Sequence, residues 1–341
     1  MKNHQVTIID IAKALNISKS TVSRALTNHP NIAVGTKKAV LELADKLDYQ
    51  RNMLSTSLVT NRTNTIGIIV PELGSSYFSR IIIAAQAAAH AAGYHIIICQ
   101  SNENYDQEIS NVNIMLSNRV DGVLISITRE TRNYDHLKKL ARKGIPVVFF
   151  NRICEEMIVP KVIVDDFQGA FKVTEHLISC GKKRIAHLGG PENLLISRKR
   201  KEGYLQALKQ YNIPVDPELI IPYDLNLSTV KIYVNHLINL PEPPDAIFTI
   251  NDPTAIEVIQ LLKAKKIDIP GQIAIAGFSN DQYSGLIAPS LTTVSQPVDE
   301  IGNIAMALLL EQINREVSEW KAVTRMLKTE LIIRESTVGK I

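Results

Sequence analysis

The stretch Ile17-Ser18-Lys19-Ser20-Thr21-Val22-Ser23-Arg24-Ala25-Leu26 determines how the N-terminal end of the chain folds. Upstream of it, apolar residues recur from Ile8 to Leu15 at the spacing of a short amphipathic helix, which Thr7 can cap. Asn16 interrupts this pattern, and asparagine tolerates the left-handed conformation of a tight turn. Ser18 can then cap a second helix. Two short helices joined by a tight turn are typical of a helix-turn-helix. The side chains of the second helix that we expect to face inward are Val22, Ala25 and Leu26.

The opposite face of the second helix is predicted to carry basic and hydroxyl groups. An arginine such as Arg24 can bind guanine with two hydrogen bonds in the major groove of DNA, whereas serine discriminates less between bases. Ser18 and Thr21 are better placed to contact phosphates. A helical hairpin with a solvated polar face is the alternative, but it does not explain why the turn, the caps and the basic face coincide. The residues predicted on this face are Lys19, Ser20, Ser23 and Arg24.

The quoted stretch, with residues 6–12 before it, resembles the DNA-binding head of the LacI/GalR (lactose-repressor/galactose-repressor) family of bacterial transcription regulators. The resemblance implies a sequence-specific regulator, a repressor, that binds a palindromic operator as a homodimer. It continues over almost the whole chain, through 62–71, Gly203-Tyr204, Asn251-Asp252, 291–297 and 334–336. The residues predicted to contact DNA are Thr7, Ser18, Lys19, Ser20, Thr21, Ser23, Arg24, Asn31, Thr36, Lys37, Asn52 and Leu58.

A third helix is predicted after a loop at residues 28–31. Thr36 and Lys37 stand near its start, where the positive helix end can hold a phosphate. Residues 49–63 align with the hinge of the family, and Leu58 matches the leucine that relatives wedge into the minor groove. A flexible linker is the alternative for this segment. The residues of the third helix predicted to face inward are Val40, Leu41, Ala44 and Leu47.

Charge is distributed unevenly along the chain. Residues 1–62 carry nine Lys or Arg against four Asp or Glu, a net charge of +5 out of a total of +4, so the remainder is −1. A basic head on a nearly neutral body favours a polyanion as the partner of the head and a different ligand for the body.

Beyond residue 64 the sequence predicts an α/β fold, because apolar runs alternate with amphipathic helices. The first set of predicted strands is 66–70, 96–99, 123–127 and 147–150, with helices near 79–92, 106–118 and 134–143, two of which end at Gly93 and Gly144. The second set of strands is 162–164, 184–188, 246–250 and 273–278, with helices near 167–179, 198–210, 229–239 and 252–265.

Two doubly wound parallel sheets imply two lobes with a cleft between the carboxyl ends of their strands. The family fold, which is similar to that of periplasmic sugar-binding proteins, implies that the chain crosses between the lobes three times. The predicted domains are a helix-turn-helix head at 1–48, a hinge at 49–63 and an effector-binding and dimerisation domain at 64–341. The predicted lobes are 64–161 plus 298–325 and 162–297 plus 326–334.

Polar and aromatic side chains that follow the predicted strands are candidate ligand contacts. An aromatic wall with arginine and amide groups suits a hydroxyl-rich ligand such as a sugar, and the basic run 198–201 also permits a sugar phosphate. Arg200 could instead be an exposed helix charge, and Asn251-Asp252 a helix cap. The candidates are Pro71, Ser75, Tyr77, Phe78, Asn151, Arg152, Arg200, Asn251, Asp252, Ser279 and Gln296.

Other classes of protein find little support in the sequence. Residues 277–281 lack the last glycine of a nucleophile elbow, and no phosphate-binding glycine loop occurs, so no catalytic residue and no cofactor are predicted. The eight histidines lack metal-ligand spacing, so we expect no metal. Three scattered cysteines, without a signal peptide or a membrane-spanning run, predict a cytoplasmic protein with no membrane partner. A sugar-binding protein or a doubly wound enzyme with an accessory DNA-binding head remains the alternative.

Overall fold

The computed structural model describes residues 6–49, 62–314 and 322–339. The chain forms two compact units, Met1–Thr63 and Asn64–Ile341. The predicted hinge contacts Asn52 and Leu58 lie outside the described residues. Within the described ranges, no helix is long and apolar enough to cross a membrane.

The first unit contains three helices, α1 (Ile8–Ala14), α2 (Lys19–Leu26) and α3 (Val34–Lys46). The carboxylate of Asp10 accepts hydrogen bonds from the N–H and the hydroxyl of Thr7, at 2.8 and 2.7 Å, at the start of α1. Asn16 has the predicted left-handed conformation, with φ of 52°. The Ser18 hydroxyl caps α2 by accepting the N–H of Thr21 at 3.1 Å. The local signals for a helix-turn-helix are therefore confirmed.

A small apolar core holds the three helices together. The prediction that Leu41 faces inward is wrong, because its side chain is 53% exposed. Val40 and Ala44, four residues apart, occupy the buried stripe of α3, and Leu41 lies about 100° around the helix from Val40. The buried residues of this core are Ile11, Ala12, Val22, Ala25, Val40 and Ala44.

The second unit alternates strands and helices. In chain order its elements are β1 (Thr65–Val70), α4 (Ser76–Ala91), β2 (His95–Gln100), α5 (Tyr105–Ser117), β3 (Gly122–Ile125), α6 (Asp135–Arg142), β4 (Val147–Phe150), β5 (Lys161–Val164), α7 (Asp166–Ser179), β6 (Ile185–Gly189), α8 (Leu195–Gln210), β7 (Ile220–Pro222), α9 (Val230–Ile238), β8 (Ala246–Thr249), α10 (Asp252–Ala264), β9 (Ala274–Ser279), β10 (Thr292–Ser295), α11 (Val298–Asn314), β11 (Thr324–Leu327), β12 (Glu330–Ile332) and α12 (Glu335–Val338).

Two six-stranded sheets form the two lobes, as far as the described residues extend. The first has the order β11-β5-β4-β3-β1-β2 and is parallel throughout; the second has the order β12-β10-β9-β8-β6-β7, and its edge strand β12 is antiparallel to β10. Gly93 and Gly144 follow helices with φ of 80° and 73°, as the sequence predicts. Apolar side chains cover both faces of each sheet, which explains why the strands are continuous apolar runs.

The predicted lobe boundaries need correction at β5. This strand pairs in parallel with β4, through Phe150 opposite Val162, and with β11, so it belongs to the first sheet. The first lobe therefore extends to Val164 and includes the strand that ends at Leu327. A short apolar strand contains no local signal for the sheet it joins, so the pattern alone assigned β5 to the wrong lobe. The chain crosses between the lobes after β5, after β10 and after β11.

Candidate functional site: the interlobe cleft and the helix-turn-helix

A cleft lies between the lobes, at the carboxyl ends of strands from both sheets. This is the position where open parallel sheets hold ligands, because helix N-termini and loop side chains converge there. Nine of the eleven predicted ligand residues line it. Its wall consists of Glu72, Ser75, Tyr77, Phe78, Asn151, Arg152, Ile196, Arg200, Leu225, Ile250, Asn251, Pro253, Phe278, Ser279 and Gln296.

Two predicted ligand residues, Pro71 and Asp252, do not line the cleft. Pro71 is buried at the end of β1, and its carbonyl accepts the N–H of Glu103 at 3.2 Å. The fully buried carboxylate of Asp252 accepts the N–H of Asp281 at 2.8 Å and the hydroxyl of Thr293 at 2.6 Å. Burial raises the pKa of Asp252 to about 7. Asp252 therefore supports the second-lobe wall from behind.

On the first-lobe side, Arg152 follows β4 and is 7% exposed. Its Nη1 donates to both carboxylate oxygens of Glu103, at 2.7 and 2.8 Å, and Glu103 also accepts the N–H of Arg129 at 2.9 Å. The Nε of Arg152 has no hydrogen-bond partner among the described residues. A buried guanidinium with an unused donor is therefore part of the cleft wall, and a ligand with an acceptor oxygen can complete its hydrogen bonding.

On the second-lobe side, Arg200 is 3% exposed and fully engaged. Its Nε and Nη2 lie 2.8 and 2.7 Å from Oδ1 of Asp166, and its Nη1 donates to the carbonyl of Ile250. The guanidinium carbon lies 3.6 Å from the ring centre of Phe278, a cation–π contact. Burial raises the pKa of Asp166, and the positive charge of Arg200 opposes that rise. The alternative interpretation of Arg200 as an exposed helix charge is therefore wrong.

Three further cleft residues have their polar groups oriented by neighbours. The Tyr77 hydroxyl donates to Oε1 of Gln296 at 3.1 Å, and burial raises the pKa of Tyr77, which keeps it a neutral donor. The Asn251 side chain caps α10 by accepting the N–H of Thr254 at 3.0 Å, so it is a cap and a cleft residue at once. Burial raises the pKa of Glu72, opposed by the charge of Arg152.

Further hydrogen bonds join the two lobes across the cleft. The Ser76 hydroxyl donates to Oδ2 of Asp281 at 2.7 Å and accepts the N–H of Gln282 at 3.1 Å. The Asn193 amide donates to the carbonyls of Arg129 and Thr131, at 3.0 and 3.2 Å.

Apolar and ionic contacts add to these bonds. Leu194 and Ile196, from the second lobe, pack in an apolar cluster of the first lobe that includes Phe149. Arg198 forms an ion pair with Glu155 across the same boundary. The structure is therefore a closed arrangement of the two lobes.

Sequence reasoning missed the carboxylates that hold the two arginines, Glu103 and Asp166, and every apolar lining residue except Tyr77 and Phe78. Glu72 could have been found, because it lies two residues after the end of a predicted strand. Leu225 lies in a loop without periodicity, and no local pattern indicates its position. The lining residues that were not predicted are Glu72, Ile196, Leu225, Ile250, Pro253 and Phe278.

In the first unit, the predicted DNA contacts of α2 lie on its outer face. Lys19, Ser20 and Arg24 are exposed, while Thr21 and Ser23 are half-buried. The Ser18 hydroxyl lies 2.7 Å from Oγ of Ser20 and 2.8 Å from Oγ1 of Thr21, so these hydroxyls form one chain of hydrogen bonds.

Of the remaining predicted contacts of this unit, Thr7 precedes α1, whereas Asn31, Thr36 and Lys37 lie just before or within the first turn of α3. Thr7 and Asn31 are exposed, whereas Thr36 and Lys37 are half-buried. The ammonium of Lys37 lies 3.5 Å from the carbonyl of Asn28.

Comparison with known families identifies both units. Residues 7–52 match the profile described as bacterial regulatory proteins, lacI family, and residues 63–331 match that of periplasmic binding proteins and the sugar binding domain of the LacI family. The chain belongs to the LacI family of bacterial regulators. It is a DNA-binding transcriptional regulator that responds to a ligand, and not an enzyme.

Curated relatives within the LacI family match the chain over nearly its full length. Catabolite control protein A of Priestia megaterium is 32% identical over 97% of this chain and 99% of its own. The transcriptional repressor CytR of Escherichia coli K12 is 31% identical over 97% of this chain and 96% of its own. The repressor PurR of Actinobacillus pleuropneumoniae is 30% identical over 97% of this chain and 98% of its own.

Solved structures of the family share the fold. The lac repressor dimer bound to operator and an anti-inducer superposes with a TM-score of 0.85, at 22% identity over 98% of this chain and all of its own. A regulator from Alkaliphilus metalliredigens complexed with D-xylulofuranose superposes with a TM-score of 0.70, at 27% identity over 81% of this chain and all of its own.

Proposed function

We propose that this LacI-family regulator is a cytoplasmic repressor that binds a palindromic operator as a homodimer, with an affinity controlled by a neutral, sugar-sized ligand in the interlobe cleft. The unused Nε donor of the buried Arg152 carries the ligand part of this proposal. An unsatisfied buried donor is costly, and a ligand hydroxyl or ring oxygen removes that cost when it binds. The proposed domains are the head at 1–48, the hinge at 49–63 and the effector-binding and dimerisation domain at 64–341.

The charges of the cleft favour a neutral sugar over a sugar phosphate. Arg152 and Arg200 are each paired with a carboxylate, and Glu72 adds a further acidic group. In the basic run 198–201, only Arg200 lines the cleft; Lys199 pairs with Glu202 at 2.7 Å on the exposed side of α8. The cleft therefore has no excess of positive charge to hold a phosphate group.

The proposed binding of DNA is supported by the exposed residues of α2. Arg24 and Lys19 project from a capped helix whose opposite side is buried, the arrangement of a recognition helix in the major groove. We propose that Arg24 reads a base, and that Lys37, at the start of α3, holds a phosphate. The relatives CytR and PurR are repressors by name, which supports repression as the activity of this chain.

The first experiment is selection of host genomic DNA fragments on the purified full-length protein, followed by sequencing. A shared palindrome is expected. Binding of the recovered site and of a random duplex is then measured for Arg24→Ala and Lys37→Ala. Arg24→Ala should lose discrimination between the two duplexes, whereas Lys37→Ala should weaken both alike. If Arg24→Ala reduced the affinity for both duplexes equally, this result would contradict the proposal that Arg24 reads a base.

The ligand part is tested by titration calorimetry against a panel of pentoses, hexoses and their phosphates. A neutral sugar should bind more tightly than its phosphate. Operator DNA should change the affinity of the protein for the sugar, and the sugar should change the affinity of the protein for the operator by the same factor. Preference for the phosphate would contradict the charge argument. If operator DNA did not change the affinity of the protein for the sugar, this result would contradict the proposal that a ligand in the cleft controls operator binding.

A further inference from the structure

Glu72 is the one acidic residue that lines the interlobe cleft, as far as the described residues extend. It lies in the turn between β1, which ends at Val70, and α4, which begins at Ser76. The charges of Arg152 in the first lobe and of Asp281 in the second lobe both act on its carboxyl group. The carboxylate therefore stands between the two lobes, and its residue is only half-buried, so a ligand in the cleft can reach it.

The other hydrogen-bond acceptors among the side chains of the cleft are neutral, and two of them are already engaged within the protein. Oε1 of Gln296 accepts the hydroxyl of Tyr77 at 3.1 Å. Oδ1 of Asn251 accepts a backbone N–H of α10 at 3.0 Å. Asn151 and Ser279, which follow β4 and end β9, carry no charge. An ionised acceptor forms stronger hydrogen bonds than a neutral one, so none of these groups equals a carboxylate as a partner for ligand hydroxyls.

Glu72 takes part in no ion pair within the described ranges. Nη1 of Arg152 bonds both carboxylate oxygens of Glu103, at 2.7 and 2.8 Å, and Arg200 is paired with Asp166. Burial raises the pKa of Glu72, because desolvation disfavours the charged form. The two arginines are thus neutralised by other carboxylates, and hydrogen bonds from a ligand can compensate Glu72 for the water that burial removes.

The chemistry of a carboxylate defines the groups that Glu72 can bind. The ionised group only accepts hydrogen bonds, and its two oxygens offer about four acceptor positions. Ser75 donates one hydrogen bond to it. The remaining positions suit adjacent hydroxyls of a sugar, which can donate to both oxygens at once. A phosphate group has a negative charge and would be repelled by the carboxylate.

We propose that Glu72 determines the specificity of the interlobe cleft: it accepts hydrogen bonds from two adjacent hydroxyls of a neutral sugar and excludes sugar phosphates. The inference rests on the proposed function, in which a sugar binds in this cleft. It adds the feature of the ligand that is recognised, a pair of neighbouring hydroxyl donors, and the residue that recognises it. A sugar that lacks one of these hydroxyls therefore binds weakly.

The test is titration calorimetry of the full-length wild type and of Glu72→Gln with D-ribose, D-glucose and D-fructose and with their phosphate monoesters. Glutamine has the same shape as glutamate but lacks the charge and one acceptor oxygen. The substitution should weaken binding of the preferred sugar about tenfold or more, because it removes hydrogen bonds to a charged group. The same variant should bind the phosphate ester of that sugar about fivefold more tightly than the wild type does, because a like charge is removed.

Monodeoxy analogues of the preferred sugar identify the hydroxyls that Glu72 binds. At least one analogue should bind the wild type about tenfold more weakly than the parent sugar does. Glu72→Gln should bind this analogue and the parent sugar with affinities within about twofold of each other, because the missing hydroxyl has already lost its partner. A purely structural effect of the substitution would weaken binding of both compounds alike and would leave the difference between them unchanged.

The matched control is Glu202→Gln, because Glu202 pairs with Lys199 on the exposed side of α8 and does not line the cleft. This variant should bind every compound as the wild type does. The melting temperatures of the three proteins show whether each is folded.

The possible failures are distinguishable. If the wild type and Glu72→Gln bind the sugar equally, Glu72 does not recognise it. If the ratio of sugar affinity to phosphate affinity is the same in both proteins, Glu72 does not exclude phosphates. Either result overturns the role of Glu72 while a sugar still binds in the cleft. If none of the compounds binds the wild type, the proposed sugar ligand is itself wrong, and the role of Glu72 is overturned with it.

Discussion

Arg152 and Arg200 lie on opposite walls of the same cleft, and both are almost completely buried. Arg200 uses its guanidinium within the protein, on Asp166, on a carbonyl and on the face of Phe278. Arg152 is held from one end by Glu103 and keeps Nε without a partner in the described chain. Arg200 therefore stabilises its wall of the cleft, and Arg152 can bind the ligand. The two arginines are similarly buried and carry the same charge. Their roles differ because the nitrogens of Arg200 have partners within the protein, whereas Nε of Arg152 has none among the described residues.

The substitution Arg200→Ala tests this difference with the largest expected effect, a loss of free energy of unfolding. Removal of Arg200 leaves the buried Asp166 carboxyl without its cation, and breaking a buried ion pair costs about 3–5 kcal/mol. Urea denaturation measures the free energy of unfolding. Lys199→Ala, on the exposed side of the same helix, is the control and should change it by less than about 0.5 kcal/mol. Adding Asp166→Asn to Arg200→Ala should recover part of the loss. A loss below about 1 kcal/mol would contradict a structural role for Arg200.

The second-lobe wall also predicts a pH dependence of stability, through Asp252. Its pKa is raised from 3.8 to about 7 in the folded protein, so folding takes up a proton. Protonation of Asp252 stabilises the folded protein fully below pH 3.8, and this stabilisation is lost as the pH rises towards 7. Between these two values the folding equilibrium constant should fall about tenfold per pH unit.

The measurement is the difference in unfolding free energy between the wild type and Asp252→Asn, from pH 4 to pH 7. Asparagine can still accept the N–H of Asp281 and donate to Thr293, so the wild type should lose stability relative to this variant as the pH rises. The difference cancels the opposite contribution of His187, whose pKa is lowered from 6.5 to about 4. A difference that does not change with pH would contradict the raised pKa.

Arg152→Lys should separate ligand binding from stability. Lysine can keep the charge pair with Glu103 but loses the Nε donor, so affinity for the tightest-binding sugar of the panel should fall about tenfold or more. The unfolding free energy should change by less than about 1 kcal/mol. Calorimetry and urea denaturation of one preparation give both values. Unchanged sugar affinity would show that the free donor is not a ligand contact, and the two arginines would no longer differ.

The smallest effect concerns Ser76, whose hydroxyl forms one of the hydrogen bonds that join the two lobes. Ser76→Ala removes the hydroxyl between α4 and Asp281, which should shift the lobes towards an open arrangement by about 1 kcal/mol. Small-angle scattering without ligand should report a larger radius of gyration. Ser79→Ala is the matched control, because its hydroxyl bonds to the carbonyls of Leu73 and Ser75 within the first lobe. Identical scattering from both variants would argue against this contact as a determinant of closure.

The sequence by itself determined the features that depend on neighbouring residues. The caps at Thr7 and Ser18, the turn at Asn16 and the outer face of α2 follow from spacings within one or two helical turns. The alternation of apolar strands with helices likewise predicted two parallel sheets, and strand ends located most of the cleft residues.

Tertiary structure alone decided which sheet β5 joins and what each cleft residue does. Arg152 and Glu103 are 49 residues apart, and Arg200 and Asp166 are 34 apart, so no local pattern indicates either pair. Asp252 follows a strand like its neighbour Asn251, yet it lies behind the wall, since it supports a turn rather than a ligand. The Nε of Arg152 lacks a partner among the described residues for the same reason. Whether a buried polar atom has a partner depends on every element packed around it, and sequence spacing contains no record of that packing.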